Sequence, residues 1–374
     1  MINKNINRRK FIKYSAMAIM SNSLPACASV SGLNEFSEKY GRSANFRNGK
    51  FINLIETNEG RKPGTFFEML GEIAFGEEER EPTFELPVNQ LSSSFFKSSP
   101  ADGLRVTWMG HSSVLIEIDG RSILIDPVWS DRIGPLIGRK RFYKPPVQIE
   151  SLPKLDAVLI SHEHYDHLDK DTVLALAQVM GKRDTKFFVP LGIGEHLKDW
   201  GIPAERILEM DWWDTTTLGG DDFTIIATPA RHYPGRWYST IPTLWTSWTI
   251  LGPRHRVFFS GDTGMLPTFA DIGKKYGPFD LTMIEIGAYH KNLRDIHLGP
   301  VQAVDVHMLL KGKTLLPVHW GTFNLGIHAW TDPIERMIKT AKKKSVNFVA
   351  PMPGQPVSMD KPIELKKWWR KPMP

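Results

Sequence analysis

The sequence predicts an α/β sandwich whose functional site lies along one edge of its β-sheets. Two observations lead to this prediction. Short runs of β-branched and aromatic residues, typical of buried strands, are followed in several places by segments with helical spacing. Several of these apolar runs also end directly at a histidine or an aspartate. Because loops at strand ends carry the chemistry of α/β folds, we expect these polar residues to meet.

The predicted elements begin near Gly103. Strands are expected at residues 104–108, 114–118, 122–127, 157–160, 186–189, 224–227, 256–259 and 314–318. Asp119-Gly120 is a strong hairpin signal between the second and third of these strands. Helices are expected at residues 171–180 and 300–310, and Pro300 suits the first position of the second helix. Before the main domain, only residues 34–40 and 65–74 show helical character.

The most informative stretch follows the strand predicted at 157–160 and has the spacing H-x-H-x-D-H. Its ligand-type residues are His162, His164, Asp166 and His167. Imidazole nitrogen and carboxylate oxygen suit zinc, with iron or manganese as alternatives. A tight loop cannot easily point all of them at one ion, so a binuclear site is predicted. A histidine-rich surface loop without a function is the less favoured interpretation.

Further ligand-type residues follow three other predicted strands, namely His232, Asp262 and His319. The predicted ligands of one metal are His162, His164 and His232, and those of the other are Asp166, His167 and His319. Asp262 is predicted to bridge the two metals, because a carboxylate can bind one ion with each oxygen. A water between the metals would lose a proton near neutral pH and act as the nucleophile. Asp166 and Asp262 are accordingly the predicted catalytic residues.

Two more histidines are candidates for positions beside the metal ligands. His111 lies in the loop between the first two predicted strands. It is a possible ligand, but we expect it to contact the ligands or to be hydrogen-bonded in the core. His307 lies among apolar residues of the helix predicted at 300–310, and we expect it in the core or beside the site.

The first residues of the chain have the composition of an export signal. Residues 1–26 hold five of the 47 basic residues and no acidic ones, so the remainder carries 42 basic against 41 acidic side chains. This balance gives no reason to expect a nucleic-acid partner. Asn7-Arg8-Arg9-Lys10-Phe11 resembles a twin-arginine signal, and Leu24-Pro25-Ala26-Cys27 resembles a lipobox. Because Cys27 is the single cysteine, an internal disulfide is excluded and lipidation of Cys27 is predicted.

The predicted organisation has four parts: a signal peptide at 1–26, a tether and N-terminal extension at 27–100, a hydrolase domain at 101–360, and a basic and aromatic tail at 361–374. No stretch is long and apolar enough for a transmembrane helix. The tail has two interpretations: an interfacial segment that contacts a membrane, or a solvated end whose Trp368 and Trp369 pack on the domain.

Seven strings of residues carry a resemblance to a known family. They are WMGH at 108–111, DPVWS at 126–130, HYDHLD at 164–169, DWW at 211–213, GDTG at 261–264, IGAY at 286–289 and HWGTF at 319–323. The chain resembles the metallo-β-lactamase superfamily and, within it, the branch of the N-acyl-phosphatidylethanolamine-hydrolysing phospholipases D. This resemblance implies an αβ/βα four-layer sandwich, two zinc ions on the ligands named above, and substrate contacts from Tyr165 and His297.

The resemblance also implies a function, with alternatives. The expected activity is phospholipase D-type hydrolysis of a membrane phospholipid, in a bacterial envelope protein attached through Cys27 and facing the periplasm. Because Ala28 rather than Asp follows that cysteine, the outer membrane is favoured over the inner one. A metal-dependent lactonase or other carbon–oxygen ester hydrolase is one alternative, and a zinc-binding envelope lipoprotein without activity is another. Whether the protein forms a homodimer is left open.

Overall fold

The computed structural model describes residues 30–59, 64–100, 103–135, 138–181, 185–220, 222–236, 239–359 and 364–371. The predicted signal peptide and Cys27 lie outside these residues. The helices are α1 (Val30–Tyr40), α2 (Thr65–Phe75), α3 (Lys170–Met180), α4 (Ile193–Asp199), α5 (Thr268–Lys275), α6 (Pro300–Leu309) and α7 (Asp332–Lys343). None of these helices has the length and apolar character needed to cross a bilayer.

The strands form two large sheets and two small hairpins. They are β1 (Phe46–Arg47), β2 (Lys50–Phe51), β3 (Leu104–Gly110), β4 (Ser113–Ile118), β5 (Arg121–Ile125), β6 (Arg132–Ile133), β7 (Arg139–Lys140), β8 (Ala157–Leu159), β9 (Lys186–Pro190), β10 (Ile207–Met210), β11 (Thr215–Thr217), β12 (Thr224–Thr228), β13 (Ser247–Leu251), β14 (Arg256–Phe259), β15 (Phe279–Glu285), β16 (Gly312–Val318) and β17 (Pro356–Ser358). Their bounds confirm the strands expected from the sequence to within a few residues.

The first large sheet has the order β10-β9-β8-β5-β4-β3-β17, and the second has the order β11-β12-β13-β14-β15-β16. Each sheet combines antiparallel hairpins with a parallel part. In the first sheet β5, β8, β9 and β10 run parallel, and in the second β14, β15 and β16 do. The candidate ligands follow the carboxyl ends of β8, β14 and β16 in these parallel parts, except for His232, which follows the antiparallel strand β12.

The two sheets pack face to face around a shared core. Strand residues alternate between the two faces, as the pleat of a strand requires. Val106 and Trp108 of β3 join a cluster that also contains Trp248 and Phe258 of the second sheet. Met109 of the same strand faces the other way, into a second cluster with residues of α3 and α4. Helix α6 packs on β15 and β16 of the other sheet. The predicted αβ/βα sandwich is thereby confirmed.

Both ends of the described chain pack on the sandwich. In the N-terminal extension, Tyr40, Phe46 and Phe51 share a small core with Trp212 and Trp245 of the main domain. At the other end, the structure agrees with the second interpretation of the tail, in which its two tryptophans pack on the domain. Trp368 and Trp369 are buried, and both rings lie within 5.6 Å of the ring centroid of Trp320.

Candidate metal centre

The predicted ligands lie in loops that leave the strand ends at one edge of the sandwich. His162 follows β8, His232 follows β12, Asp262 follows β14 and His319 follows β16. Backbone strain marks the same edge, since His319 has φ 62°, His111 φ 52° and Asp126 φ 42°. Non-glycine residues seldom adopt this left-handed region, and such residues cluster at functional sites.

One group of side chains matches the first predicted metal. His162, His164, His232 and Asp262 place one ligand atom each within 4.8 Å of one another. His164 Nδ1 and His232 Nε2 lie 3.2 Å apart. Asp262 Oδ2 is 3.7 Å from His162 Nε2 and 3.9 Å from His232 Nε2. These atoms face a common centre, so the group could hold one cation.

A second group adjoins the first and contains the ligands predicted for the other metal. Asp166, His167, His319 and His111 also place one ligand atom each within 4.8 Å of one another. Asp166 Oδ2 is 3.6 Å from His167 Nε2 and 3.5 Å from His319 Nε2. The His111 ring contacts this carboxylate, with Nε2 2.9 Å from Asp166 Oδ2. His111 therefore lies beside a predicted ligand, as expected, and is close enough to bind a metal itself.

Asp262 lies between the two groups, as the bridging role requires. Its Oδ1 is 3.2 Å from His167 Nε2, and its Oδ2 is 3.0 Å from His319 Nε2. The same Oδ2 is the atom nearest to His162 and His232 in the first group. One carboxylate thus contacts histidines of both predicted metals.

Unsatisfied polar atoms show that the residues fit metal ions. Within the described part of the chain, the buried Nε2 atoms of His162, His167 and His319 and Oδ1 of Asp262 form no hydrogen bond of normal geometry, although some of them lie close together. Buried polar atoms without partners are rare and costly in native proteins. These atoms converge on one place, and nitrogen with carboxylate oxygen is a donor set that zinc favours. Metal coordination would satisfy all of them together.

The electrostatics of the two groups agree with this assignment. Burial lowers the pKa of His164 to about 4 and lowers the pKa values of His162 and His232 well below their ordinary range. These rings are therefore neutral, the form that donates a lone pair to a metal. For His319, burial also lowers the pKa, but attraction to Asp262 outweighs burial and raises it to about 10. Asp166 and Asp262, which lie beside His319, attract positive charge, and a divalent cation would supply it.

Two residues that orient the ligands were not identified as functional from the sequence. Asp126 is fully buried and accepts hydrogen bonds from Ser161 N at 2.7 Å and from the Ser161 hydroxyl at 2.6 Å. Its Oδ2 is 2.7 Å from His167 Nδ1, which fixes the ring with Nε2 toward the site. Glu163 accepts bonds from the backbone N–H groups of Gly235 and Arg236, and so holds that loop against the ring of His164.

The predicted substrate contacts lie at the margins of the two groups. His297 Nδ1 is 4.0 Å from Asp262 Oδ2 and 2.8 Å from Glu285 Oε2, a second buried carboxylate that the sequence analysis did not single out. Tyr165 is partly buried against Val128, Ile133 and Phe323. His307, by contrast, lies in the core, where its Nδ1 is 2.7 Å from Thr282 Oγ1. Its described contacts do not include a predicted ligand.

Comparisons with known proteins agree with this geometry. A family model described as the β-lactamase superfamily domain matches residues 121–320. An uncharacterized protein of Mycobacterium tuberculosis is 43% identical over 342 residues, which cover 88% of this chain and 88% of that protein. The N-acyl-phosphatidylethanolamine-hydrolyzing phospholipase D 1 of Caenorhabditis elegans is 35% identical over 322 residues, which cover 81% of this chain and 88% of the relative.

Solved structures support the same assignment. A metallo hydrolase from the archaeon Ignicoccus hospitalis is 26% identical and superimposes with a TM-score of 0.53, covering 68% of this chain and 97% of its own. The chain therefore belongs to the metallo-β-lactamase superfamily of metal-dependent hydrolases, on the branch that includes the N-acyl-phosphatidylethanolamine-hydrolysing phospholipase D relatives.

Proposed function

We propose that the protein is a metal-dependent phosphodiesterase that hydrolyses a membrane phospholipid in the manner of a phospholipase D. The bond cut would be on the headgroup side, so that phosphatidic acid is one product. An N-acylated phosphatidylethanolamine is the proposed type of substrate, because the Caenorhabditis elegans relative is named for that lipid. Two zinc ions are the proposed cofactors, with iron or manganese as alternatives.

The position of His297 is the observation that carries this proposal. It lies on the wall of an open cleft of about 740 Å³, and its Nδ1 is 4.0 Å from the carboxylate of Asp262. Because Glu285 engages Nδ1, the other ring nitrogen is the one left to meet a substrate. His297 therefore connects the cleft to the predicted metal ligands, and a phosphodiester bound in the cleft would contact the margin of the metal site through this ring.

The walls of the cleft suit an amphipathic, anionic ligand. They include the apolar residues Val301 and Ile327, the cations Lys291, Arg294 and Arg336, and the carboxylates Glu72, Glu78 and Asp332. Arg336 lies 3.6 Å from Asp332. Lys291 is neutralised by Glu68 and Glu72. Arg294 is exposed and, among the described residues, has no carboxylate within ion-pair distance. Its guanidinium is therefore available for a phosphate oxygen, which it can bind through two N–H groups.

The chain's contribution to the reaction would be orientation. When bound, the metals would supply Lewis acidity toward phosphoryl oxygen and an activated water near neutral pH. Asp126 holds the ring of His167, and Glu285 holds the ring of His297. Tyr165 lies under the Arg236 guanidinium, which is 4.3 Å from its ring centroid. We propose that Tyr165 and His297 contact and orient the phosphate group of the substrate.

The proposed setting is the surface of a bacterial envelope membrane that faces the periplasm, with the outer membrane favoured. Cys27, which lies outside the described residues, would carry the lipid that holds the domain there. A bilayer would then supply the substrate directly to the cleft. A nucleic-acid partner is not part of this proposal, and a homodimer is left open.

A panel of lipids and lactones tests the proposed substrate. Metal-supplied protein is incubated with N-acylated phosphatidylethanolamine, plain phosphatidylethanolamine and an acyl lactone, and the products are followed by mass spectrometry. We expect phosphatidic acid and the free headgroup from at least one lipid, and no product with Asp262→Ala. Turnover of the lactone without any lipid product would contradict the proposal and would favour a carbon–oxygen ester hydrolase.

A further inference from the structure

The residues described around His232, at 229–236, form neither helix nor strand, although the imidazole of His232 is central to the first metal group. His232 is fully buried and lies beyond the end of β12 in a segment without helix or strand. Its ring is fixed by a hydrogen bond from Nδ1 to the carbonyl oxygen of Ile296, at 2.9 Å. Its backbone N–H and C=O also need partners, because buried backbone groups are nearly always paired.

Both partners come from a single side chain in the N-terminal extension. The N–H of His232 donates to Asn53 Oδ1 at 3.1 Å, and Asn53 Nδ2 donates to the carbonyl oxygen of His232 at 2.7 Å. Trp245 Nε1 donates to the same Oδ1 at 3.1 Å, which fixes the orientation of the amide. A primary amide offers an acceptor and a donor side by side, as an adjacent strand would.

The preceding residue of the loop is held by the same extension. Arg231 Nε donates to Thr57 Oγ1 at 3.0 Å, and its guanidinium also donates to the carbonyl oxygen of Glu56. Another nitrogen of Arg231 lies 3.1 Å from Asp295 Oδ1. The backbone N–H of Asn58 in the extension donates to the same carboxylate at 2.9 Å. The extension therefore contacts both the His232 loop and the segment whose carbonyl group orients the His232 ring.

We propose that Asn53 is a positioning residue of the metal centre, and that the extension completes a site whose ligands all lie in the main domain. Asn53 lies outside residues 121–320, where the superfamily model matches. Loss of its amide would leave a buried N–H and a buried C=O of a ligand residue unpaired, and the loop would move to satisfy them. Partners that orient metal ligands typically change metal affinity about 10- to 100-fold when they are removed.

The test compares two asparagines of the extension in the full chain. Asn53→Ala removes the amide that holds His232. Asn89→Ala is the matched control, because Asn89 Nδ2 also donates to a backbone carbonyl of the main domain, that of Gly354 at 2.9 Å. Metal content is measured against a graded chelator, and the cobalt-loaded proteins are compared by visible absorption. Unfolding of the metal-free proteins shows whether the two substitutions cost similar stability.

We expect Asn53→Ala to weaken one of the two metals roughly 10- to 100-fold and to change the cobalt spectrum, whereas Asn89→Ala leaves both metals in place. Asn53→Asp keeps the two accepted hydrogen bonds but places a carboxylate oxygen against the carbonyl oxygen of His232 in place of the donor. Its metal affinity should therefore also fall below that of the wild type. If Asn53→Ala does not fold, the test uses Asn53→Asp, and its metal affinity and cobalt spectrum are compared with those of Asn89→Ala.

Wild-type affinity and spectrum in the Asn53 variants would overturn the proposal, as would an equal loss of metal in Asn89→Ala. None of these readouts uses a substrate. A failure of the phospholipase proposal would therefore leave this result unchanged, and the two outcomes can be told apart.

Discussion

Buried carboxylates hold imidazole rings at the centre, and they come from parts of the chain that are remote from those rings. Asp126 is paired with Nδ1 of His167, and Glu285 with Nδ1 of His297. The metal ligands could be predicted because the first of them follow a local spacing and the others follow strands. The two carboxylates could not be assigned in this way, since each becomes a neighbour of its histidine only in the folded chain. Asp126 and His167, for example, follow the adjacent strands β5 and β8. The DPVWS string that contains Asp126 can be recognised in the sequence. The role of Asp126 depends on its distance from His167, which is set only in the folded protein.

The pairing of Glu285 with His297 leads to a prediction at the residue scale. Glu285→Gln keeps the size of the side chain but replaces the carboxylate that accepts the His297 N–H. Oε1 of Glu285 accepts the backbone N–H groups of Thr263 and Leu298, so the single amide oxygen of glutamine is needed there and its NH2 group would face His297. The ring would lose the hydrogen bond that fixes its orientation. We expect phospholipid turnover to fall roughly 10- to 100-fold, which corresponds to a loss of about 1.5–3 kcal/mol.

Metal content is the control for this variant. Elemental analysis should find the same metal in Glu285→Gln as in the wild type, because Glu285 is not among the predicted ligands. His297→Ala should lower turnover to a similar extent. Unchanged turnover in both Glu285→Gln and His297→Ala would show that His297 does not contribute to substrate binding or turnover.

Among the secondary-structure elements, the strands that end in ligands were predicted well and several others were not. The elements that are not predicted from the sequence include β13, β15, α5 and α7. Strand β15 ends in Glu285, which belongs to no ligand motif, so a search for strands that end in ligands passes over it. Helix α7 did carry a signal, because Pro333 lies near its start and its buried residues Ile334, Met337, Ile338 and Ala341 have helical spacing. Short strands such as β13 owe their structure to burial between neighbours.

Helix α6 gives a prediction about pH. His307 is buried in this helix, and burial lowers its pKa to about 4. The folded state therefore binds a proton less readily than the unfolded chain, whose histidine titrates near 6.5. The stability that depends on neutral His307 is fully present above pH 6.5 and is lost as the pH falls toward 4. The loss could reach about 3 kcal/mol.

Urea unfolding between pH 7 and pH 4 measures this effect. His307→Gln can still bond to Thr282 and cannot titrate, so its free energy of unfolding should fall less steeply with pH than that of the wild type. Identical slopes for the two proteins would show that His307 does not contribute.

In the molecule as a whole, the ends of the chain are more closely integrated than their composition indicates. The extension is polar overall, yet its aromatic residues pack against Trp212 and Trp245. The tail has the basic and aromatic composition of an interfacial segment, yet Trp369 Nε1 donates to Glu335 of α7 at 2.8 Å. Composition alone does not distinguish a tryptophan that meets a membrane from one that packs on its own domain, because both need an apolar contact and a polar partner.

With the tail tryptophans buried, the proposed membrane attachment depends on Cys27. We expect wild-type protein to fractionate with membranes and to carry a lipid on this residue. Cys27→Ala should move the protein to the soluble fraction without loss of folding, since the packing described for the extension depends on Tyr40, Phe46 and Phe51. Mass spectrometry of the mature N-terminus is the direct measurement. Unmodified, soluble wild-type protein would contradict the lipidation proposal and would leave the metal centre unaffected.

The binuclear centre is the central claim, and its most direct test is the number of metal ions per chain. Elemental analysis is made on protein supplied with zinc and then freed of loosely bound metal. Because seven ligand-type side chains form two adjoining groups that share Asp262, we expect two ions per chain. Asp262→Ala should retain fewer than two. One ion or none in the wild-type protein would contradict the account.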